Sequence, residues 1–314
     1  MLASGFLDPS ANQDGAAFGL LAVLPDGGAI LLPSRPTTPS ARVQVIHNAA
    51  DPAAATVDVY INDDLAVDDF AFRTATPFLD LPAGETLTIG IAPPTSTAAG
   101  DAIATFDVEL IDGESYTVVA NGVLDPASFA LNPSGQDIGF TLLIATDAQE
   151  AASNAENVAL RVVHGATDAP AVDVFARGVA ELLSDVPYSA ISGYLEVPAD
   201  AYTLNIEVAE TEAVAASFFA DVSTLGGGAA TILASGFLDP AANQNGEAFA
   251  LLTVLPDGTA FTLPVVTNSE ADQAGVPNGF RVGNAYPNPF NPTTNVVFDL
   301  PERANVNVEL YNVA

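Results

Sequence analysis

A block of 32 residues occurs twice in this chain, and it constrains the fold more than any other feature. Residues 2–33 (LASGFLDPSANQDGAAFGLLAVLPDGGAILLP) recur at 233–264 with 24 of 32 positions identical and a constant offset of 231. A shorter copy at 120–126 (ANGVLDP) lies near half that offset, which predicts a repeat of about 115 residues. We therefore expect 1–33 to hold the last strands of a preceding repeat that is truncated here.

Short apolar stretches separated by turn residues fill the rest of the chain. Val43–His47 and Leu87–Ile91 alternate or run β-branched, and 82–84 (PAG) and 256–258 (PDG) are tight-turn sequences. Many short strands with frequent turns and almost no helical periodicity predict antiparallel sheets. The expected fold class is all-β, with tandem antiparallel β-sandwiches of the immunoglobulin-like or transthyretin-like type.

Polar segments divide the chain into domains. Residues 34–40, 148–157 and 266–279 are rich in Pro, Thr, Ser, Asn or Ala and lack an apolar stripe, so we interpret them as linkers. The expected domains are one sandwich at 41–147, a second at 158–265, and a further, incomplete domain at 280–314.

The charge balance limits the classes of molecule that the chain can bind. The chain has 39 acidic residues against seven basic ones, all arginine, for a formal net charge of −32 at pH 7. A nucleic acid would be repelled, because no basic surface is available to release its counterions. An anionic membrane surface is disfavoured for the same reason.

Three interpretations of this acidity are bulk calcium binding, disorder and adaptation to high salt. The acids are dispersed among apolar strands and 49% of residues are hydrophobic, which argues against disorder. We favour halophilic adaptation, because repulsion among like charges is screened at molar salt, where the Debye length is about 3 Å. We therefore expect the melting temperature to rise between dilute buffer and molar NaCl, and an unchanged value would contradict this interpretation.

Signals for several function classes are missing from the sequence. There is no cysteine, so disulfides and thiolate metal sites are excluded. No apolar run reaches the roughly 18 residues that a membrane-spanning helix needs, and no phosphate-binding loop, nucleophile elbow or zinc motif occurs. We expect no enzymatic activity, no cofactor and no membrane insertion. The lack of a secretion signal at residue 1 is uninformative, because that residue lies inside a repeat.

Two stretches share one pattern. In 47–60 (HNAADPAAATVDVY) and 164–175 (HGATDAPAVDVF), a strand ends in His, and a turn with Asp and Pro leads to a Val-Asp-Val strand; 79–84 (LDLPAG) and 195–200 (LEVPAD) follow. The pattern resembles domain-of-unknown-function family 4397, although the first turn is two residues longer and Asp200 replaces a usual Gly. The resemblance implies a β-sandwich in exported bacterial surface proteins, with no established activity. Its signature residues are His47, Asp51, Asp58, His164, Asp168 and Asp173.

A second resemblance lies near the end of the chain. Residues 283–294 (GNAYPNPFNPTT), followed by 296–301 (VVFDLP) and 306–311 (VNVELY), are similar to the opening of the C-terminal sorting domain of the type IX secretion system. The resemblance implies an address that is read by the type IX secretion machinery, although the family continues through further strands. The sorting signal would comprise Tyr286, Pro287, Asn288, Pro289, Phe290, Asn291 and Pro292.

The two histidines are the first candidate site. His47 and His164 stand at equivalent positions, and with Asp51 and Asp168 they could form a metal or proton-transfer pair. Two protein ligands without a third make a weak metal site. The alternative, which we favour, is an imidazole hydrogen-bonded to the turn that follows it.

Acidic residues supply the remaining candidates. Asp8, Asn12 and Asp14 could bind calcium, but their loop fails the EF-hand template, and an Asx-turn is the favoured interpretation. Strand alternation places Asp58 and Asp173 on the solvent face. The pairs at 63–64 and 68–69 are adjacent strand residues that point to opposite faces, so they do not suit paired-carboxylate catalysis.

The sequence favours a non-enzymatic, exported repeat protein on the outer-membrane surface or outside the cell. Its sandwiches would act as spacer, adhesion or ligand-binding modules, with surface glycans or proteins as partners, and weak sites in tandem would add avidity. The alternative is that they are accessory domains of a larger secreted enzyme whose catalytic part lies upstream.

Overall fold

The computed structural model describes residues 2–4, 19–23, 29–32, 38–177, 179–209, 211, 213–266, 281–282 and 298–299. Within these ranges the chain forms strands, turns and four short 3-10 helices, and none of the described residues is in an α-helix. The predicted all-β class is confirmed. The chain divides into two compact units, Met1–Pro39 and Ser40–Ala314.

The first unit contains a three-stranded antiparallel sheet in the order β1-β2-β3. Its strands are β1 (Leu2–Ser4), β2 (Gly19–Val23) and β3 (Ala29–Leu32). The calcium candidates Asp8, Asn12 and Asp14 lie outside the described residues.

The first repeat in the second unit is a sandwich of two four-stranded sheets, β11-β10-β4-β7 and β6-β5-β8-β9. Its strands are β4 (Ser40–His47), β5 (Thr56–Ile61), β6 (Asp64–Ala71), β7 (Leu79–Pro82), β8 (Thr86–Ala92), β9 (Ala104–Glu109), β10 (Ser115–Asn121) and β11 (Thr141–Ala145).

The second repeat follows the same plan, with sheets β15-β12-β18-β19-β20 and β14-β13-β16-β17. Its strands are β12 (Asn157–His164), β13 (Val172–Ala176), β14 (Ala180–Val186), β15 (Leu195–Pro198), β16 (Ala201–Val208), β17 (Ala213–Asp221), β18 (Ala229–Ser235), β19 (Ala250–Val254) and β20 (Ala260–Thr262). Among the described strands, β20 has no counterpart in the first repeat, where β11 is the edge strand.

Each repeat departs from a purely antiparallel sandwich at one place. The first strand of each repeat pairs in parallel with the strand that carries the repeated block: β4 with β10, and β12 with β18. This pairing brings the end of the His-bearing strand beside the start of the block. All other pairings between the described strands of the two repeats are antiparallel.

Each sandwich has its own apolar core. Val43, Leu87 and Val118 pack together in the first repeat, and Leu160, Ile206 and Phe218 in the second. These cores contain apolar voids of about 30 to 50 Å³. Such voids have room for a water molecule or two, and not for a ligand.

The two repeats also share a third core that joins them. Ile46 and Val119 of the first repeat cluster with Val163, Leu233 and Leu252 of the second, and all five are at most 1% exposed. They lie on the faces of the β10 and β18 sheets that point away from the sandwich interiors. Linked modules were expected from the sequence, but these two sandwiches pack back to back.

The segment 148–157, interpreted as a linker from the sequence, lies along the second repeat. The Ala152 N–H donates to the Gly227 carbonyl at 2.9 Å, and Ala151 forms a single bridge with Gly228. The Ser153 N–H donates to the Glu196 carboxylate at 2.6 Å. The connection between the repeats is therefore bonded to the protein along its length.

Near the end of the chain, β21 (Arg281–Val282) pairs with β22 (Phe298–Asp299) in antiparallel register. The sorting-signal residues 286–292 lie outside the described residues. No helix in the described part of the chain has the length and apolarity to cross a membrane.

Candidate functional site

The two signature histidines are buried and bonded to the turns that follow them. The His47 Nε2 lies 2.8 Å from the Ala54 carbonyl oxygen, and the His164 Nε2 lies 2.9 Å from that of Pro170. A carbonyl oxygen only accepts, so Nε2 carries the proton in both rings. The Ala49 N–H then faces the unprotonated His47 Nδ1 at 3.4 Å. Each ring therefore fixes the exit of its strand.

Both imidazoles are held in the neutral form. Burial lowers the pKa of His47 to about 4, with the bond to Ala54 opposing the shift, and burial also lowers the pKa of His164. The His47 ring packs against Phe70 and Phe72 at centroid distances of 5.6 and 6.2 Å. Neither ring is suited to take up a proton near neutral pH.

Asp51 ties its turn to the shorter copy of the repeated block. One carboxylate oxygen accepts from the Ala53 N–H at 2.8 Å and caps a short 3-10 helix. The other accepts from the Leu124 N–H at 2.8 Å, across 73 residues of sequence. Asp51 is 2% exposed, and both of its carboxylate oxygens accept from backbone N–H groups. Among the described residues, Asp51 makes no hydrogen bond with His47.

Asp168 performs the same task in the second repeat. Its carboxylate accepts from the N–H groups of Leu238 and Asp239, both at 2.9 Å, and from the Asn243 side-chain amide at 2.9 Å. Leu238 and Asp239 belong to the LASGFLDP block. In each repeat, the carboxylate of the His-to-Asp turn therefore bonds the backbone of the repeated block. This pairing explains why both segments recur in the sequence.

The Asp of the Val-Asp-Val strand differs from its prediction. Asp58 was expected on the solvent face, but it is 2% exposed and accepts from the Asp69 N–H at 3.0 Å and from the Ser96 hydroxyl. Asp173 is half-buried and accepts from the Asp185 N–H at 2.7 Å. The cause is a bulge in each neighbouring strand, β6 and β14, which brings a backbone N–H over the face that carries the aspartate.

The same bulge overturns the prediction for the acidic pair at 68–69. Asp69 has a positive φ of 51°, which breaks the strand alternation. Carboxylate oxygens of Asp58, Asp68 and Asp69 consequently lie within 4.8 Å of one another. Asp58 is already held by two donors, and acidic groups often cluster at exposed edges without an ion. We assign this cluster the role of holding the bulge.

The polar contacts that span the two repeats were not predicted. The Arg73 Nη2 donates to the main-chain oxygens of Ser235 at 3.1 Å and Ala248 at 2.6 Å, and its Nε donates to the Ser235 hydroxyl at 3.0 Å. Gln44, 2% exposed, donates to the Leu255 carbonyl at 2.8 Å. These side chains hydrogen-bond main-chain carbonyls of the second repeat and so join the two repeats through polar contacts.

A second set of amides joins the loops of the two repeats. The Asn132 side-chain amide donates to the carbonyl oxygens of Thr167 at 2.8 Å and Ala169 at 3.0 Å. In the opposite direction, the Ala130 N–H donates to the Asn243 side-chain oxygen at 3.0 Å. The contacts run both ways, as expected for two similar repeats packed back to back.

Aromatic side chains complete the interface. Phe129 and Phe237 stack with centroids 5.7 Å apart and planes 20° from parallel. The side-chain amides of Asn48 and Asn121 lie 2.9 Å apart, and the Asn121 amide lies 3.0 Å from the Tyr188 hydroxyl. Burial raises the pKa of Tyr188, so its hydroxyl stays protonated in this network. The interface is a mixed core of apolar, aromatic and paired polar groups.

Stability should respond to pH through His47. Its pKa is about 4 in the folded chain and near 6.5 when unfolded, so the unfolded chain binds the proton more tightly. As the pH falls from 6.5 towards 4, the wild type should lose about 2–3 kcal/mol relative to His47→Gln. Urea unfolding of both proteins at pH 7.5, 6 and 4.5 measures this difference. The variant corrects for the carboxylates, which titrate in both proteins, and a constant difference would contradict a neutral, buried His47.

Comparison with known proteins gives two family matches, which begin within one residue of the starts of β4 and β12. Two matches to the family described as Domain of unknown function (DUF4397) cover residues 41–175 and 158–289. No curated protein matches the chain. Nine chains of solved structures match. One of them belongs to a structure described as "Alpha-glucan recognition by family 41 carbohydrate-binding modules from streptococcal virulence factors". Its sequence is 10% identical to this chain, the match covers 62% of this chain and 93% of that chain, and the TM-score is 0.19. At that TM-score the likeness carries nothing about function. The two matches together span most of the sequence, and the chain belongs to the DUF4397 family.

Proposed function

We propose that the two repeats form one rigid, non-catalytic body that works on the cell surface or outside the cell, as a spacer, adhesion or ligand-binding element. The observation that carries this proposal is the buried interface between the repeats. Apolar clusters, stacked rings and reciprocal amide bonds all cross it. Chains built for reach alone need only linkers between modules.

The signature residues support a structural role. The two histidines and the two turn aspartates each bond main-chain groups of their own repeat. Catalytic acids and bases need access to a substrate and a pKa near the working pH. A buried imidazole with a pKa of about 4 meets neither need.

A rigid pair of sandwiches suits a surface protein because it holds a fixed distance. Two domains on a flexible linker sample many separations, and they lose that freedom when both engage a target. A shared core removes this entropy before binding. We propose that the unit presents its exposed loops and edges in a constant geometry.

Export is the second part of the proposal. Residues 283–311 resemble the start of a type IX sorting domain, and we propose that the complete sorting domain addresses the protein to the outer-membrane surface. The Pro- and Asn-rich composition of 286–292 disfavours a central strand, and we propose that the translocon reads this stretch.

Surface labelling tests the proposal in a bacterium that has type IX secretion. The full reading frame, tagged within the first repeat, should be reached by antibody and by external protease on intact cells. Replacement of 286–292 by a scrambled sequence of the same composition should leave the protein inside the cell. Equal surface exposure of both proteins would contradict the sorting role, and retention of both would contradict a surface function.

A further inference from the structure

We propose that the open edge of β11 is a binding site for an extended polypeptide strand, which adds to the sheet in a groove between the two repeats. The site would give the ligand-binding role a location, and its test does not depend on export. Three observations carry it: an unpaired strand edge, the fate of the equivalent edge in the second repeat, and a buried arginine with free donors.

The pairing pattern shows which main-chain groups of β11 are open. The Asn48 N–H donates to the Ala120 carbonyl at 2.8 Å, so even-numbered residues of β10 face β4 and odd-numbered ones face β11. The ladder therefore uses residues 141, 143 and 145 of β11. The N–H and C=O groups of Leu142 and Ile144 point outward, and no strand among the described residues pairs with them.

The second repeat fills the same edge with its own chain. Residues 251 and 253 of β19 correspond to 142 and 144, and there β20 pairs with them. The Leu263 N–H donates to the Leu251 carbonyl at 2.8 Å, and the Leu255 N–H to that of Thr259 at 2.9 Å. In the first repeat the chain instead turns at Asp147, which has a φ of 64°, and leaves towards the second repeat.

The turn before β20 also fills a space between the repeats. A side chain at Gly258 would lie 2.7 Å from Pro77 and 2.8 Å from Thr76 of the first repeat. At the equivalent place beside β11 there is instead an open groove of about 590 Å³, lined by 142–147, Arg161, Ser189 and 191–193. Its volume falls within the range of ligand sites. Since β20 occupies this place in the second repeat, we infer that the groove beside β11 in the first repeat accommodates an added strand.

Arg161 lies at the floor of this groove with donors to spare. It is 1% exposed, and it stacks on Tyr194 with its guanidinium carbon 4.3 Å from the ring centroid. Its Nη2 bonds the Thr146 carbonyl at 3.3 Å and pairs with Asp147, whereas Nε and Nη1 have no acceptor among the described residues. Buried guanidinium donors favour an acceptor oxygen, which a carbonyl or carboxylate of an added strand supplies.

The open main-chain groups favour a polypeptide over a sugar. Leu142 and Ile144 present N–H and C=O groups at the spacing of a sheet ladder, and an extended peptide matches that spacing by adding a strand. Apolar side chains around the edge, such as Ile144 at 42% exposed, would cover alternate peptide side chains. A saccharide would leave the ladder groups without matched partners.

The probe is a fluorescein-labelled peptide of residues 255–264 (LPDGTAFTLP), titrated with the full chain and followed by anisotropy. We expect saturable binding that unlabelled peptide competes away. The N–H of Phe261 faces the neighbouring strand in β20 and that of Thr262 faces away. N-methylation at Phe261 should therefore weaken binding at least tenfold, whereas N-methylation at Thr262 should leave it unchanged.

Protein variants test the other side of the contact. Ile144→Pro removes an outward N–H that β10 does not use, so it should keep the fold and weaken binding at least tenfold, with Ile144→Val as the unchanged control. Arg161→Gln, which places the side chain found at Gln44, should also weaken binding. The proposal is overturned by equal affinity of the two N-methylated peptides or by full binding to Ile144→Pro or Arg161→Gln. It is also overturned by a dimer that Ile144→Pro abolishes in a chain that binds no peptide, because the occupant is then a second copy.

Discussion

Phe237→Ala should lower the free energy of unfolding by about 3–5 kcal/mol, which is the range for truncation of a fully buried phenylalanine. Phe237 is 0% exposed and packs between the repeats with Phe129 and Tyr188. Its loss leaves a cavity and removes the stacking contact. Urea unfolding, with the slope compared between variant and wild type, measures the change.

Phe219→Ala is the matched control for this prediction. Phe219 lies on β17 and is 43% exposed, so the same truncation there should cost less than about 1 kcal/mol. Similar losses from both variants would contradict the assignment of Phe237 to a shared core.

Gly236→Ala should be the second large effect, with a loss of about 3–5 kcal/mol or failure to fold. Gly236 belongs to the repeated block and has a φ of 86°, in the left-handed region that favours glycine. A methyl group there would collide with the Ala248 carbonyl and lie 2.7 Å from the Arg73 Nη2. The substitution therefore both strains the backbone and displaces the hydrogen bond from Arg73 to the Ala248 carbonyl at the interface.

Gly193→Ala controls for this change, because a methyl group at Gly193 meets nothing within 4 Å and its φ is not positive. We expect a change in melting temperature of no more than a few degrees for Gly193→Ala, against a large drop for Gly236→Ala. An equal response would show that the close approach at Gly236 is not needed.

The sandwich fold could be predicted because its signals are local. Alternation in Leu87–Ile91 and the Pro-Gly turns fix strands and their ends, and the structure places β8 over Thr86–Ala92. The bonds of both histidines to their following turns were also favoured from the sequence. These features depend on residues within one turn or one strand, where spacing alone is informative.

The predicted exposure of Asp58 and the predicted faces of residues 68 and 69 were wrong, because strand periodicity does not reveal a bulge. Period-two alternation places Asp58 on the face opposite the core-facing Val57 and Val59, but the bulge in β6 brings the Asp69 N–H over that face and buries the carboxylate. Adjacent residues 68 and 69 were expected on opposite faces, and the positive φ of Asp69 brings them together. Asp is among the residues that tolerate this conformation, and that tolerance was the signal available.

The interface between the repeats could not be derived from spacing, because it depends on contacts between residues 35 to 211 positions apart. Gln44 and Arg161 alternate with core residues and look like solvent-facing positions, yet both are almost fully buried. One signal was present. The strand 229–235 (AATILAS) has little charge on either face, which is typical of a strand covered on both sides.

Hydrogen exchange tests most directly whether the repeats form one body. Amides in the centres of β10 and β18 should exchange with the same free energy of opening, equal to that of global unfolding. Phe237→Ala should lower both values by the same amount, because the two sandwiches open together. If β18 opens at a lower free energy than β10, or if Phe237→Ala changes only the second repeat, the repeats are independent modules and the account of a shared core is wrong.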